Sequence, residues 1–160
     1  MRRLDKQITD LDIINEILNN SEICRLGLVD NGDAYIVPVN YAHENGIIYI
    51  HSAHEGRKMD ILKQDGHVTF EIEHIHEIIK GTKACNWTTR YRSVMGKGFI
   101  TIDNDIESKK KGLDLIMRKY SDDITMEPVY DERVLERMTM LIMKIESVSG
   151  KQSGNWNEDY

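Results

Sequence analysis

Apolar residues recur along this chain with two different periods, and each change of period marks a new element. Leu11, Ile14, Ile17 and Leu18 share one helical face, with Thr9 or Asp10 as candidate caps and Asn19-Asn20 as the end. The pattern then shortens to period two. CRLGLV (24–29) and AYIVPVNY (34–41) read as strands around the turn Asp30-Asn31-Gly32-Asp33. IIYIH (47–51) follows a second turn at Glu44-Asn45-Gly46, so two adjacent antiparallel hairpins are expected. Pro38 brings no N–H to a ladder; it marks an edge, a bulge or a backbone that faces a ligand.

Gly56 precedes a short helix, RKMDILKQ (57–64), and HVTFEIE (67–73) alternates cleanly as a strand. Residues 74–88 lack a clear period and read as a long loop. YRSVMGKGFITI (91–102) is an extended strand with a bend at Gly96 and Gly98. From Asp105 onward, Ile106, Leu113, Ile116, Met117 and Tyr120 recur at helical spacing, and Glu107 is placed to pair with Lys111. A short helix near 131–137 leads into MTMLIMKIES (138–147), apolar enough to be buried on both faces. The sum is about six strands and three or four helices. Strands arriving as hairpins predict a mainly β fold, an antiparallel sheet or small barrel with flanking helices.

Composition narrows the class. One domain over residues 1–160 suits the length, with a flexible tail from 151 to 160. The 27 acidic residues outnumber 21 basic ones, a net charge of −6 that argues against a general nucleic-acid binder. No apolar run approaches the ~20 residues of a membrane span, and no signal-peptide core follows the charged start. Cys24 and Cys85 stand far apart, so a reduced, cytoplasmic protein without a disulfide framework is expected.

Chemistry concentrates in two segments. In IIYIHSAHEGRKMDIL (47–62) a strand ends at His51-Ser52 and a helix begins just after Gly56. Helix starts offer unpaired N–H groups to anions, and here Ser52, Arg57 and Lys58 would add a hydroxyl and two cations. Cations oppose the dipole at that end, a placement that an anion bound between them explains, although solvated first-turn residues would look the same. In CNWTTRYRSVMGKG (85–98), Trp87 and Tyr91 offer flat surfaces, Arg90 and Arg92 charge, and Ser93 a hydrogen bond. That mixture suits an aromatic, phosphorylated ligand or a subunit interface. His74 and His76, with Glu73 or Glu77, lack an evident third metal ligand, so no metal is expected. Met138, Met140 and Met143 read as core.

The strings YIVPVNY, YIHSAHEGRKMDIL, YRSVMGKGFI and KIESVSGKQSG, in that order, resemble the pyridoxamine 5′-phosphate oxidase-like flavoproteins. The nearer branch is the nitroimidazole-resistance (Nim-type) proteins, and the likeness extends over roughly residues 1–153. The resemblance implies an antiparallel six-stranded FMN-binding split β-barrel that dimerises with flavin at the subunit interface. Carried over by residue, it lays the isoalloxazine along Val37-Pro38-Val39-Asn40 and puts the phosphate on Ser52, Arg57 and Lys58. It brings Arg92 and Ser93 towards the cofactor, lines the pocket with Trp87, and makes His51 the substrate-facing or proton-donating residue. FMN is the implied cofactor, with FAD served by the same phosphate site.

The implied function is an FMN-dependent oxidoreductase that passes electrons from a reduced nicotinamide to a small flat acceptor such as a nitroaromatic. The alternative is a non-catalytic protein that stores or senses flavin or haem. One departure matters. The oxidases themselves end in an Arg-Leu-x-Pro segment that contacts substrate, whereas this chain ends SGKQSGNWNEDY, so the vitamin B6 reaction is not expected. Trp156 and Tyr160 in that tail are candidates to cover a pocket.

Overall fold

The structure, a computed structural model, describes residues 3–121, 128–154 and 156, with the side chains of Ile75 and His76 also outside that description. Tyr160 lies outside the described residues. The elements run β1 (Gln7–Ile8), α1 (Leu11–Asn20), β2 (Cys24–Asp30), β3 (Asp33–Val39), β4 (Ala42–Glu44) and β5 (Ile47–Ala53). Then come α2 (Arg57–Gln64), β6 (His67–Ile79), β7 (Thr88–Asp103), α3 (Ile106–Tyr120), α4 (Glu132–Glu136) and β8 (Met138–Ser153).

Both expected hairpins form. Asn31-Gly32 and Asn45-Gly46 all take positive φ, the two-residue turn whose twist matches antiparallel strands. They are not neighbours in the sheet, however. The ladder order is β3-β2-β6-β7-β8-β5-β4, with β1 added to β8, so the hairpins lie at opposite ends of an antiparallel path. Pro38 sits on β3, an end strand bonded only to β2, where a missing N–H is tolerated.

Three expectations need correction. The described residues hold eight strands rather than six, because the two-residue β1 and three-residue β4 have no periodicity to read. The segment 74–88 is not a long loop: β6 continues to Ile79 and β7 starts at Thr88. A bulge between Glu73 and Ile75 breaks the alternation there, so His74 falls where the register shifts. Likewise Lys151–Ser153 belong to β8, held by β7 and β1, and are not a loose tail.

Helix α1 is capped by Asp10, whose side chain accepts from Asp12 N–H, and it buries Ile14, Ile17 and Leu18 while Leu11 is 67% exposed. These residues join Leu26, Leu28 and Val39 from one end of the sheet path and Ile48 and Ile50 from the other in one core cluster. A single cluster fed from both ends means the sheet curls around it. Each fully buried side chain of this kind contributes about 1.5–3 kcal/mol. The opposite face of β5 and β8 is covered by Leu113 and Leu115 of α3 and Leu135 of α4, so both faces are covered over residues 138–143 only; Lys144, Glu146 and Ser147 of the expected 138–147 run are exposed. Glu107 pairs with Lys110 rather than Lys111, which reaches Glu44 on β4 and ties α3 to the sheet edge. No described helix is long and apolar enough to cross a membrane.

Among the described residues no ladder joins β3 to β5 or β4, so the curled sheet does not close by hydrogen bonds. Its two ends face each other across a pocket.

Candidate functional site

That pocket, of ≈ 360 Å³, is lined by Tyr35 and Val37 of β3, His51–Ala53 of β5, and Glu55–Lys58 at the start of α2. It therefore exists because the sheet curls, and α2 stops one end of the seam. Gly56 precedes the helix with φ 114°, a conformation that side chains rarely adopt, and this turns the chain sharply from the loop into α2. Helices α1, α3 and α4 are capped by Asp10, Asp105 and Asp131, whereas α2 has no side-chain cap. Its first-turn N–H groups lack an intrahelical acceptor, and Arg57 and Lys58, which carry two of them, line the pocket.

The two first-turn cations differ in their company. Arg57 Nε donates to Asp30 Oδ2 at 2.7 Å, and its guanidinium lies 4.6 Å over the Tyr35 ring. Lys58 is half-buried, and no carboxylate comes within ion-pairing distance of it among the described residues. Burial pulls its pKa below the ordinary lysine value. His51 is lowered too, first by burial and then by repulsion from the Lys58 ammonium. The Ser52 hydroxyl is buried and donates to the Met59 sulfur at 3.5 Å, which joins strand to helix. The outcome is one desolvated, unneutralised cation beside open N–H groups, with a neutral imidazole close by.

The second segment forms a separate cluster. Trp87 is exposed at the base of β7, its Nε1–H donating to Gly81 O at 3.0 Å. Arg92 Nε donates to Gln152 Oε1 at 3.3 Å, with Glu16 at 3.5 Å. Arg90 stands 3.8 Å from Glu77. Both guanidiniums lie over the Trp156 ring, 4.3 Å away for Arg90 and 4.1 Å for Arg92. Ser93 is half-buried, opposite Glu73 and Lys151.

The register measures the gap between the clusters. Ser52 pairs with Thr139, while Arg92 pairs with Gln152, thirteen positions along β8. At ~3.3 Å per residue that is about 43 Å of strand. One copy of the chain does not bring the two together.

The family model for pyridoxamine 5′-phosphate oxidase matches residues 10–152. The chain belongs to the pyridoxamine 5′-phosphate oxidase-like family. A candidate 5-nitroimidazole antibiotic resistance protein from Bacteroides thetaiotaomicron is 28% identical, with a TM-score of 0.81, covering 91% of this chain and 86% of that one. Two further solved structures share the fold. An FAD and haem binding protein from Mycobacterium smegmatis is 18% identical at TM-score 0.82, covering 97% of this chain and 77% of its own. An FAD-binding protein from Mesorhizobium loti is 19% identical at TM-score 0.67, covering 93% and 98% respectively. No protein of curated function matches the sequence.

Within this family member, the pocket gathers Val37, His51, Ser52, Arg57 and Lys58 from the residues singled out by sequence. Pro38 and Asn40 are exposed on the same strand end and Val39 is buried, none of them lining the pocket; Arg92 and Ser93 are in the other cluster, and Trp87 packs apart from both, against Gly81 and Lys80. Sequence reasoning missed Tyr35 and Glu55 as lining residues and Asp30 as the partner of Arg57. Tyr35 was within reach, since it precedes Val37 by two on one strand face. Asp30 was not, because only the curl of the sheet sets it beside α2. Among the described residues no group of three His, Cys, Asp or Glu side chains is placed to hold a metal; the side chain of His76 lies outside them.

Proposed function

We propose that this protein binds FMN between two copies of itself and reduces a small flat acceptor, a nitroaromatic being the leading class, with electrons from a reduced nicotinamide. The observation that carries the reading is Lys58: a half-buried cation without a carboxylate partner among the described residues, at an uncapped helix start in a pocket. A phosphate monoester supplies the charge that this arrangement lacks. The likeness to a candidate nitroimidazole resistance protein supports the acceptor class. The split-barrel description fits a sheet whose ends approach without bonding.

In this reading Lys58 and the first-turn N–H groups bind the phosphate, with Arg57 held nearby by Asp30 and Tyr35. Val37, the one residue of the Val37–Asn40 segment that lines the pocket, gives the ring a wall beside Tyr35. Bound flavin supplies the two-electron redox step. The His51 pKa is lowered first by burial and second by Lys58, so an anion that cancels the Lys58 charge lifts only the second part of that depression. Its readiness to hold a proton at the pocket mouth is thus coupled to loading.

An absorbance spectrum of purified protein, with the mass of the molecule released by heat, tests the cofactor. Flavin bands with an FMN mass are expected; an FAD mass would change the cofactor, a Soret band would move the reading to haem. A colourless protein that takes up no added FMN would overturn it. Because Ser52, beside Lys58 in the pocket, and Arg92 pair with β8 positions thirteen residues apart, a complete site in this reading takes Lys58 from one copy and Arg92 from its partner. Mixing refolded Lys58→Ala and Arg92→Ala chains then restores FMN at about one site in four, through mixed dimers with one intact site. No restoration means that the two residues act in one copy or not at all.

A further inference from the structure

Among the described residues that line the seam pocket, Glu55 alone bears a carboxylate, and the flavin reading gives it no role. Its backbone is held on both sides. His54 Nε2–H donates to Glu136 O at 2.7 Å, which pins the preceding residue to the end of α4. The following Gly56 accepts from Asp60 N–H at 3.0 Å as α2 begins. Asp30 neutralises Arg57, so the charges left in the lining are the Lys58 ammonium and the Glu55 carboxylate. Neither has an ion-pair partner among the described residues, and the two do not pair with each other. A carboxylate ahead of a helix start favours the dipole, which accounts for its sign but not for its place in the pocket.

Two opposite charges kept apart in one pocket suit a group that accepts a hydrogen bond at one end and donates one at the other. A phosphate monoester with a single proton is such a group. Its P–O⁻ accepts from Lys58 and the first-turn N–H groups, while its P–OH donates to a carboxylate. A fully ionised phosphate has no donor and sets a second negative charge against Glu55. We propose that Glu55 determines specificity for the monoprotonated, singly charged form of a phosphate monoester in the seam pocket. The inference rests on the flavin reading, in which that phosphate belongs to FMN. The second ionisation of a phosphate monoester lies at about pH 6, so loading takes up a proton near neutral pH and is tightest on the acid side. The other groups around Glu55 are His51 and Tyr35 from the two strands, Lys58 and the Arg57–Asp30 pair from the helix start, and His54, whose Nε2–H is spent on α4. Of these, His51 and Lys58 could also give binding a pH dependence, so the test has to separate them from Glu55.

Fluorescence titration of flavin-free protein gives the FMN affinity of the natural chain and of Glu55→Gln between about pH 6.5 and 8.5, the span over which the phosphate loses its last proton. Riboflavin, without phosphate, and riboflavin cyclic phosphate, whose single charge does not titrate, are measured alongside. The natural chain is expected to lose about tenfold in FMN affinity across that span, while its affinity for the cyclic phosphate changes less than about threefold. Glu55→Gln is expected to show a flat FMN profile and to bind FMN more tightly than the natural chain at the alkaline end. A flat FMN profile in the natural chain overturns the assignment, and that result needs no variant. So does an equal fall for the cyclic phosphate or in Glu55→Gln, which gives the pH dependence to His51 or Lys58. Weaker FMN binding by Glu55→Gln at the alkaline end overturns it too. If it fails while FMN still binds far more tightly than riboflavin, the phosphate site stands without Glu55. If FMN binds no better than riboflavin at any pH, both fall.

Discussion

Replacing Lys58 by methionine keeps an unbranched apolar stem and removes only the charge. Two opposite effects follow from its setting. With FMN present, the variant loses a charge-assisted hydrogen bond to phosphate, about 1.5–3 kcal/mol, so affinity falls roughly ten- to hundredfold. The N–H groups of α2 remain, so binding weakens without vanishing.

Without FMN the sign reverses. Burial lowers the Lys58 pKa, so the folded protein disfavours the ammonium that the unfolded chain carries freely. Between the lowered value and 10.5 the unfolded state binds more protons, so stability of the flavin-free protein rises with pH across that window. Below the window the penalty is fully present, and methionine removes it. The helix dipole adds to the same side, since a first-turn cation opposes it. Flavin-free Lys58→Met is therefore expected to melt at or above the natural protein, while its FMN-dependent gain in Tm shrinks. Fluorescence titration gives the affinity, and melts with and without FMN give the rest. Affinity within twofold of the natural protein, or a flavin-free variant several degrees less stable, would refute the assignment.

His51 is expected to titrate below 6.5 by NMR in flavin-free protein and to move up when phosphate or FMN is added, or in Lys58→Met; a shift unmoved by all three removes the coupling. Gly56→Ala meets nothing within 4 Å, so its cost is the φ of 114° alone, about 1–3 kcal/mol by urea unfolding; a loss near zero contradicts that backbone. Gly96→Ala puts a methyl 2.5 Å from the Phe70 ring and from Ser147 O, and the clash costs about 1–3 kcal/mol. An unchanged Tm for it would mean that β7 and β8 are not packed around that ring as described.

The fold was legible wherever one local rule acted alone. Asn-Gly pairs gave both hairpins, Asp105 opened α3, and the near-continuous apolar run in 138–147 announced a strand whose faces are both covered over its first six residues. Failures came where pairing overrode pattern. EHIHEII continues β6 because β7 is there to receive it, and the bulge after Glu73 hides its period. Gln7-Ile8 is a strand only because β8 offers an edge at Gly150 and Lys151. The ladder order, which parts the two hairpins and makes the seam, has no local signal at all.

The same distinction runs through the site. Residues 51–58 are contiguous, so their pocket could be read directly, down to the oddity of two cations at a helix start. The structure resolves half of that oddity internally. Asp30 cancels Arg57, which leaves Lys58 alone against the dipole and needing an anion from outside. The Arg90–Arg92 cluster shows the opposite case: each guanidinium has a carboxylate at 3.5–3.8 Å and lies over the Trp156 ring. A surplus cation in one cluster and a partnered arginine pair in the other are separate within a single copy. What joins them in the proposed function is a second copy, a relation that the linear order of motifs does not encode.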